Sequence, residues 1–188
     1  MREKLHQLML EHVYRFREEP FTLASGRRSQ HYFNCKKITL WPERLWLLSA
    51  LIVEEILADF PGTAAIGGLT MGADPLSYGI SSYAFASKRS VLWPLIVRKS
   101  EKDHGMQSRI EGNLEEVSTV LALDDVVTTG VSTLQAVQAF RQAGKKVDRA
   151  LVILDREEGG REALEKEGVS LHAIFVKSDF SLQGKEDG

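Results

Sequence analysis

The chain has 188 residues and a mass of 21.0 kDa, the size of one ordinary domain with a buried core. Its formal net charge of -2 argues against a general binder of nucleic acids or membrane surfaces. The single cysteine, Cys35, excludes an internal disulfide and a site built from several thiolates. No apolar run is long enough to span a bilayer and no signal-peptide core is visible, so a cytoplasmic protein is expected.

The N-terminal part is predicted to form a helix followed by a small hairpin. Apolar residues within 5–16 recur at helical spacing. Residues 21–37 contain two strand-like pieces that flank a Ser25-Gly26 turn signal. A second helix with an apolar stripe is predicted after Pro42.

The rest of the chain alternates between apolar runs and amphipathic helices. Strands are predicted at AAIGG, VLWPLIVRK, STVLALDD, RALVILDR and SLHAIFVK. Pro94, in the second of these, lacks a ladder donor and favours a sheet edge or a bulge. The alternation predicts an α/β fold with a doubly wound parallel sheet, covered by helices on both faces. We expect one domain over residues 1–188, with the helix and hairpin in about 1–40 and the core in about 41–188.

Glycines or charged residues end four of the predicted strands. These ends are Gly67-Gly68, Arg98-Lys99, Asp124-Asp125 and Asp155-Arg156. Ligands of open parallel sheets bind beyond the carboxyl ends of the strands, and parallel pairing brings those ends to one edge. Polar strand ends are common, so each pair alone is also consistent with an ordinary strand end. The four together predict a binding site.

The most informative stretch is VLALDDVVTTGVST, residues 120–133. A hydrophobic strand leads to two adjacent carboxylates, and a Thr-Thr-Gly loop opens the next helix. Backbone amides at such a helix start bind a phosphate dianion, and the hydroxyls expected to join them belong to Thr128, Thr129, Ser132 and Thr133. A simple helix cap would explain the loop but not the paired aspartates. A sugar phosphate would supply hydroxyl groups for those carboxylates.

This stretch closely resembles the phosphoribosyl-pyrophosphate signature of the type I phosphoribosyltransferases. Three further segments resemble the orotate phosphoribosyltransferases within that family. FTLASGRRSQHYF resembles a hood hairpin around the base, VRKSEKDHGMQSRIEG a mobile catalytic loop, and LDREEGG a segment that supplies an arginine to the orotate ring. The resemblance covers about residues 21–160.

The resemblance implies a reaction and its small-molecule substrates. Ribose 5-phosphate would pass from 5-phosphoribosyl-1-pyrophosphate (PRPP) to orotate, giving orotidine 5'-monophosphate and pyrophosphate in the de novo synthesis of pyrimidine nucleotides such as UMP. Mg²⁺ would enter with the pyrophosphate, held largely by ligand oxygens and water and without a dedicated protein site. A homodimer whose mobile loop reaches the neighbouring subunit's site is also implied.

The same resemblance implies roles for individual residues. The catalytic groups would be Arg98, Lys99, Lys102, His104 and Asp125. PRPP would contact Asp124, Asp125, Val126, Val127, Thr128, Thr129, Gly130, Val131 and Ser132. Orotate would contact Thr128 and Arg156. The pyrophosphate loop would contain Gly67, Gly68 and Gly72.

Simpler explanations exist for several of these residues. His104 and the neighbouring lysines fit a basic surface turn, and Arg156 fits a surface ion pair with an adjacent glutamate. Tyr32 and Phe33 fit core packing as well as stacking near the base.

The sequence departs from the family at two positions. Relatives with the fullest cationic site carry lysine where this chain has Ala24 and Met71, so the loop at 98–112 is expected to carry more of the positive charge. A phosphoribosyltransferase for another base, or a non-catalytic regulator that senses PRPP, remains an alternative.

Overall fold

The structure is a computed structural model that describes residues 1–22, 28–99 and 109–181. Its strands are β1 (Tyr14–Thr22), β2 (Arg28–Phe33), β3 (Ala65–Leu69), β4 (Trp93–Val97), β5 (Ile110–Glu111), β6 (Val120–Val127), β7 (Arg149–Asp155) and β8 (Ser170–Val176). Its α-helices are α1 (Arg2–Leu8), α2 (Lys36–Thr39), α3 (Pro42–Leu51), α4 (Asp74–Ala86), α5 (Val131–Gln142), α6 (Gly160–Lys166) and α7 (Ser178–Ser181). π-helical turns at Met9–Val13 and Ile52–Ile56 extend α1 and α3, and a 3-10 turn follows at Leu57–Asp59.

The central sheet has the strand order β5-β4-β3-β6-β7-β8. The five strands from β4 to β8 in that order are parallel, which confirms the predicted sheet. β5 is antiparallel and was not predicted, because its two residues lie in a stretch interpreted as a loop. The carboxyl ends of β3, β4, β6 and β7 therefore share one edge, as expected for this topology.

Pro94 lies in β4, beside the short edge strand β5. The Trp93 amide donates to the Ala64 carbonyl on the β3 side at 3.0 Å, so the Pro94 nitrogen faces the β5 side. β5 pairs with Ile96 and Val97 and not with Pro94. Pro94 therefore lies next to the edge of the sheet and not on it, and its missing donor is not needed for a β4–β5 pair among the described residues.

Helices cover both faces of the sheet. On one face α1, α3 and α4 bury residues such as Leu5, Leu48 and Ile80 against the inner strands. On the other face Phe140 of α5 and Leu164 of α6 pack against the sheet. The doubly wound architecture is thus confirmed. No helix in the three described ranges is long and apolar enough to cross a membrane.

The first helix ends earlier than its apolar spacing predicts. Helical structure stops at Val13, and Tyr14 already begins β1. Phe16, the last apolar residue at the predicted helical spacing, lies in β1 instead, where it is 52% exposed and pairs with His31 of β2. Cross-strand pairing with β2 thus determines the conformation of these residues. The predicted Ser25-Gly26 turn lies outside the described residues.

Gly67 and Gly68 lie inside β3, as the predicted AAIGG strand implies, and not in the loop to which the family resemblance also assigned them. Both are buried and are paired with β4. A Cβ at Gly67 would collide with the Leu95 carbonyl oxygen, and one at Gly68 with the Leu123 carbonyl oxygen. Close approach of neighbouring backbones therefore accounts for glycine at both positions.

Replacing Gly67 with alanine is expected to destabilise the fold by about 3 kcal/mol or more, because a backbone carbonyl must move to admit the methyl group. Gly62→Ala is the matched control. Its φ of +78° disfavours a side chain, but no atom lies within 4 Å of the new methyl group, so a cost of about 1–2 kcal/mol is expected. Urea unfolding measures the free energy of unfolding of both variants. Equal losses of stability in the two variants would contradict the packing role of Gly67.

Candidate active site

A small cavity lies at the carboxyl end of β6, where residues 128–130 lead into α5. Its volume is about 90 Å³, and Asp124 and residues 126–133 line it. Gly130 has a φ of +81°, in the left-handed region that favours glycine. The exposed amides at the start of α5 and the nearby hydroxyl groups make this cavity suitable for one phosphate group.

Asp124 and Asp125 stand side by side in β6 in different environments. Asp124 is buried and accepts hydrogen bonds from Thr133 Oγ1 at 2.9 Å and from the Asp125 amide at 3.0 Å. Asp125 is half-buried, and its Oδ1 accepts a hydrogen bond from the Val126 amide at 2.9 Å. Burial, and then the charge of Asp125, raise the pKa of Asp124 to about 7. The Thr133 hydroxyl thus donates a hydrogen bond to Asp124, although Thr133 also lines the small cavity where the sequence predicted a phosphate contact.

A second cavity adjoins the first and has a volume of about 210 Å³. Its walls come from α2, from the residues after β3, from the end of β4 and from β6. The lining residues are Lys36, Leu69, Thr70, Met71, Gly72, Lys99, Asp124, Asp125, Val126 and Ser132. Both cavities share Asp124, so a ligand that spans them would meet the carboxylates at its centre.

Gly72 brings the loop after β3 against the two carboxylates. A Cβ at this position would lie 2.8 Å from Asp124 Oδ1 and 2.8 Å from Asp125 Oδ1. Of the three glycines assigned to the pyrophosphate loop, Gly72 is therefore the one that borders the cavity. Any larger residue would occupy the space beside the carboxylates.

Arg98 and Lys99 leave β4 at the same edge of the sheet. Arg98 Nη1 lies 3.1 Å from Glu111 Oε1, and the Arg98 amide donates to the Arg109 carbonyl at 2.9 Å. Arg98 is thus engaged with the β5 region, whereas Lys99 lines the larger cavity. Lys102 and His104, the other two predicted loop cations, lie outside the described residues.

Arg156 connects the core with the hairpin. It follows β7 and is buried, and its Nη2 lies 2.9 Å from Glu158 Oε1. The same nitrogen lies 3.4 Å from both Ser29 Oγ and the His31 carbonyl of β2. Among the described residues, its buried Nε has no hydrogen-bond partner. The ion pair with a glutamate is therefore present, but it is buried and not on the surface as the simpler explanation held.

The two hairpin aromatics have separate environments. Phe33 is buried and packs its ring against Tyr14, with ring centroids 5.1 Å apart, so core packing accounts for it. Tyr32 is exposed and contacts Phe21 at 5.2 Å. Burial, Lys177 and Arg156 lower the pKa of His31, whose Nδ1 lies 2.9 Å from the Tyr14 hydroxyl.

Known proteins with similar sequences identify the family. The orotate phosphoribosyltransferase of Leptospira biflexa is 49% identical over 180 residues, which are 95% of this chain and 97% of the relative. The chain belongs to the orotate phosphoribosyltransferase family. The family member of Aquifex aeolicus is 42% identical over 179 residues, covering 95% of this chain and 96% of that one. No family model matches the chain.

Solved structures of orotate phosphoribosyltransferases have the same fold. The Mycobacterium tuberculosis H37Rv enzyme in complex with Fe(III) dicitrate has a TM-score of 0.79 at 34% identity, covering 96% of this chain and 99% of that chain. The same enzyme in complex with PRPP has a TM-score of 0.73 at 28% identity, and the match covers 95% of this chain and 90% of that chain. The family is one of pentosyltransferase enzymes.

Sequence reasoning missed two residues that the structure places at this edge of the sheet, Lys36 and Gly160. Lys36 lines the larger cavity. Glu158 had been considered, with Glu157, as an ion-pair partner of Arg156, and it is the one that pairs with Arg156. A Cβ at Gly160 would collide with Val127 Cγ1 and lie 2.8 Å from the Thr128 carbonyl oxygen. The Gly-Gly pair before α6 was a usable signal for this close approach. No sequence pattern pointed to Lys36 as a site residue, because it follows the hairpin and is distant in sequence from the other residues that line the cavity.

Replacing Asp124 with asparagine is expected to make the protein relatively more stable as pH rises. Because the pKa of Asp124 is raised from 3.8 to about 7, the folded state binds its proton more tightly than the unfolded chain does. The stability contribution of Asp124 therefore falls as pH rises from about 4 to about 7. Between pH 5 and pH 8, the free energy of unfolding of the variant should rise by about 2–3 kcal/mol relative to that of the wild type, as measured by urea unfolding.

Asp148→Asn is the control, because a hydrogen bond with Lys146 lowers the pKa of Asp148 and keeps it ionised over this range. Parallel pH profiles for wild type and Asp124→Asn would show that Asp124 does not titrate in this window.

Proposed function

We propose that this chain is an orotate phosphoribosyltransferase that transfers ribose 5-phosphate from PRPP to orotate in pyrimidine nucleotide synthesis. The observation that carries the proposal is the position of the Asp124-Asp125 pair between a phosphate-sized cavity and a larger cavity. A sugar phosphate fits this order of groups. Its 5-phosphate suits the loop before α5, its ribose hydroxyls suit the carboxylates, and its pyrophosphate suits the larger cavity. The orotate phosphoribosyltransferase family supports orotate as the acceptor.

The proposed reaction displaces pyrophosphate from the ribose C1 by a ring nitrogen of orotate. Positive charge develops on the sugar while negative charge leaves with pyrophosphate. Asp125, half-buried and facing the larger cavity, would favour the cationic sugar and bind its hydroxyls. The cations of the loop, Lys99, Lys102 and His104 with Arg98, would bind the leaving group and help to exclude water.

Mg²⁺ is part of the proposal and enters with the substrate. Within the described ranges, no group of three or more His, Cys, Asp or Glu side chains forms a cage for a metal. The Asp124-Asp125 pair fits a cation that keeps its waters and is held mainly by substrate oxygens. When bound there, Mg²⁺ would neutralise negative charge on the pyrophosphate.

Arg156 is proposed to recognise the carboxylate of orotate. Its buried guanidinium lies between Glu158 and the hairpin, with Nε unpaired among the described residues. A planar guanidinium suits a flat ring that bears a carboxylate. Thr128 is proposed to contact orotate beside Arg156. The two residues are close in the fold, because the Arg156 amide donates a hydrogen bond to the carbonyl of Val127, the residue before Thr128, at 2.9 Å.

A homodimer in which the loop at 98–112 reaches the partner's site completes the proposal. The supporting observation is an apolar surface on the packed helices α3 and α4, defined by Trp46, Tyr78 and Phe85. Each of these side chains is more than half exposed. Contiguous apolar surfaces of this kind are typical of protein interfaces, and an isologous dimer would cover the surface on both subunits at once.

Pyrophosphate release from PRPP and Mg²⁺ with a panel of bases tests the function. Turnover with orotate and not with purines supports the proposal. Turnover only with another base would replace orotate as the acceptor. Binding of PRPP without turnover of any base would favour a non-catalytic PRPP sensor.

Replacing Arg156 with alanine is expected to raise the KM for orotate by about tenfold or more, because a charge-assisted bidentate contact is lost. The KM for PRPP serves as the internal control and should change much less. Steady-state kinetics with each substrate varied in turn measure both. Equal increases in the KM values for orotate and PRPP would contradict a role of Arg156 in binding the base.

Mixing two inactive variants is expected to restore activity if the loop acts in the partner's site. Lys102→Ala and Asp125→Asn would damage opposite halves of a composite site. A mixed dimer would then contain one doubly damaged site and one intact site. Random exchange of equal amounts makes about half of the dimers mixed, so roughly a quarter of wild-type activity should return. If subunit exchange is verified and the mixture stays inactive, the loop acts within its own subunit.

A further inference from the structure

The larger cavity presents an electrostatic problem for a pyrophosphate group. Asp124 and Asp125 both line it, and their charges repel phosphate oxygens. Met71 lies in the loop after β3 and also lines the cavity. It is 59% exposed and carries no charge. Among the described lining residues, the cations are Lys36 and Lys99, so the positive charge of this wall depends on these two.

Lys36 is held at the cavity by its buried neighbours. It begins α2, where Cys35, Ile38 and Thr39 are buried and the Ile38 and Thr39 amides donate to the Cys35 carbonyl at 2.9 and 3.0 Å. Burial, and then Asp125 and Asp124, raise the pKa of the Cys35 thiol, which reflects the closeness of both carboxylates to the start of α2. The backbone that carries Lys36 is therefore fixed beside the acidic pair.

The Lys36 side chain is available for a ligand. The residue is exposed, and no hydrogen bond or ion pair engages its ammonium group within the part of the chain that the structure describes. Lys37, the next residue, is also exposed but does not line the cavity. Two adjacent lysines thus differ in whether they face the proposed pyrophosphate region.

We propose that the Lys36 ammonium binds the pyrophosphate of PRPP and supplies charge that Met71 does not provide. The inference rests on the proposed function, since the pyrophosphate is that of its substrate. A flexible lysine suits this task because its ammonium can reach several oxygens of a bound or departing group. Lys36 would act from the α2 side of the cavity, beside the β6 carboxylates and independently of the loop that contains Lys102.

The experiment compares Lys36→Ala, Lys36→Arg and Lys37→Ala with the wild type. Lys36→Ala is expected to raise the KM for PRPP and the inhibition constant of product pyrophosphate by about tenfold each, the size of a lost charge-assisted contact. The KM for orotate should stay within about twofold, because the proposed orotate contacts are Thr128 and Arg156 and not Lys36. Lys36→Arg should recover most of the pyrophosphate affinity, and Lys37→Ala should resemble the wild type.

A positive charge introduced at Met71, in the loop after β3, provides a second test. Met71→Lys introduced into the Lys36→Ala variant should recover part of the affinity for pyrophosphate, because it returns a cation to the same cavity. Unchanged pyrophosphate inhibition in Lys36→Ala, or an equal loss in Lys37→Ala, would overturn the inference. Either result leaves the proposed function intact if wild type turns over orotate, whereas absence of wild-type turnover rejects the function itself.

Discussion

Two carboxylates on consecutive residues of a central strand impose the main constraint on this site. Asp124 is buried, and the Thr133 hydroxyl and the Asp125 amide satisfy its oxygens. Because buried charges are costly and neighbouring like charges repel, the fold must hold this pair in place by hydrogen bonds. The same pair repels any phosphate ligand. Donors and cations are accordingly found on the other walls, in the loop before α5, in α2 and after β4.

Glycines allow three loops from different strands to meet around the pair. Gly72 brings the loop after β3 to the carboxylates, and Gly160 brings the start of α6 against Val127 and Thr128. Gly130 lies between them, where a Cβ would be 3.0 Å from the Gly160 carbonyl oxygen. A side chain at any of these positions would separate the loops. Close packing of backbones thus fixes the amides and carboxylates before a ligand arrives, which is what electrostatic stabilisation of a developing charge requires.

The sequence predicted the architecture well because the fold is repetitive. Apolar runs alternating with amphipathic helices predicted the parallel sheet and its shared edge, and the motif at 120–133 predicted a site where the structure has the smaller cavity. Contacts between distant segments were not predictable in this way. Thr133 was assigned to phosphate because its hydroxyl is expected near the exposed amides at the start of α5, but this hydroxyl donates to Asp124. Gly67 and Gly68 were assigned to the end of a strand and to a pyrophosphate loop, since local sequence does not reveal that two neighbouring backbones approach β3 closely.

If Arg156 binds the orotate carboxylate as proposed, the cost of burying its guanidinium would contribute to selectivity for the base. A buried guanidinium is stabilised by Glu158, but its Nε is unpaired among the described residues, and an unpaired buried donor is costly. An acceptor-bearing ligand that reaches Nε would relieve this cost on binding. A base without the carboxylate would leave the donor unpaired and would also cover it from water. Sites of this kind discriminate more strongly than apolar pockets do, because the wrong ligand leaves a polar group unsatisfied. The hairpin residues Ser29 and His31 close around the same guanidinium, so selectivity and closure of the hood would depend on one side chain.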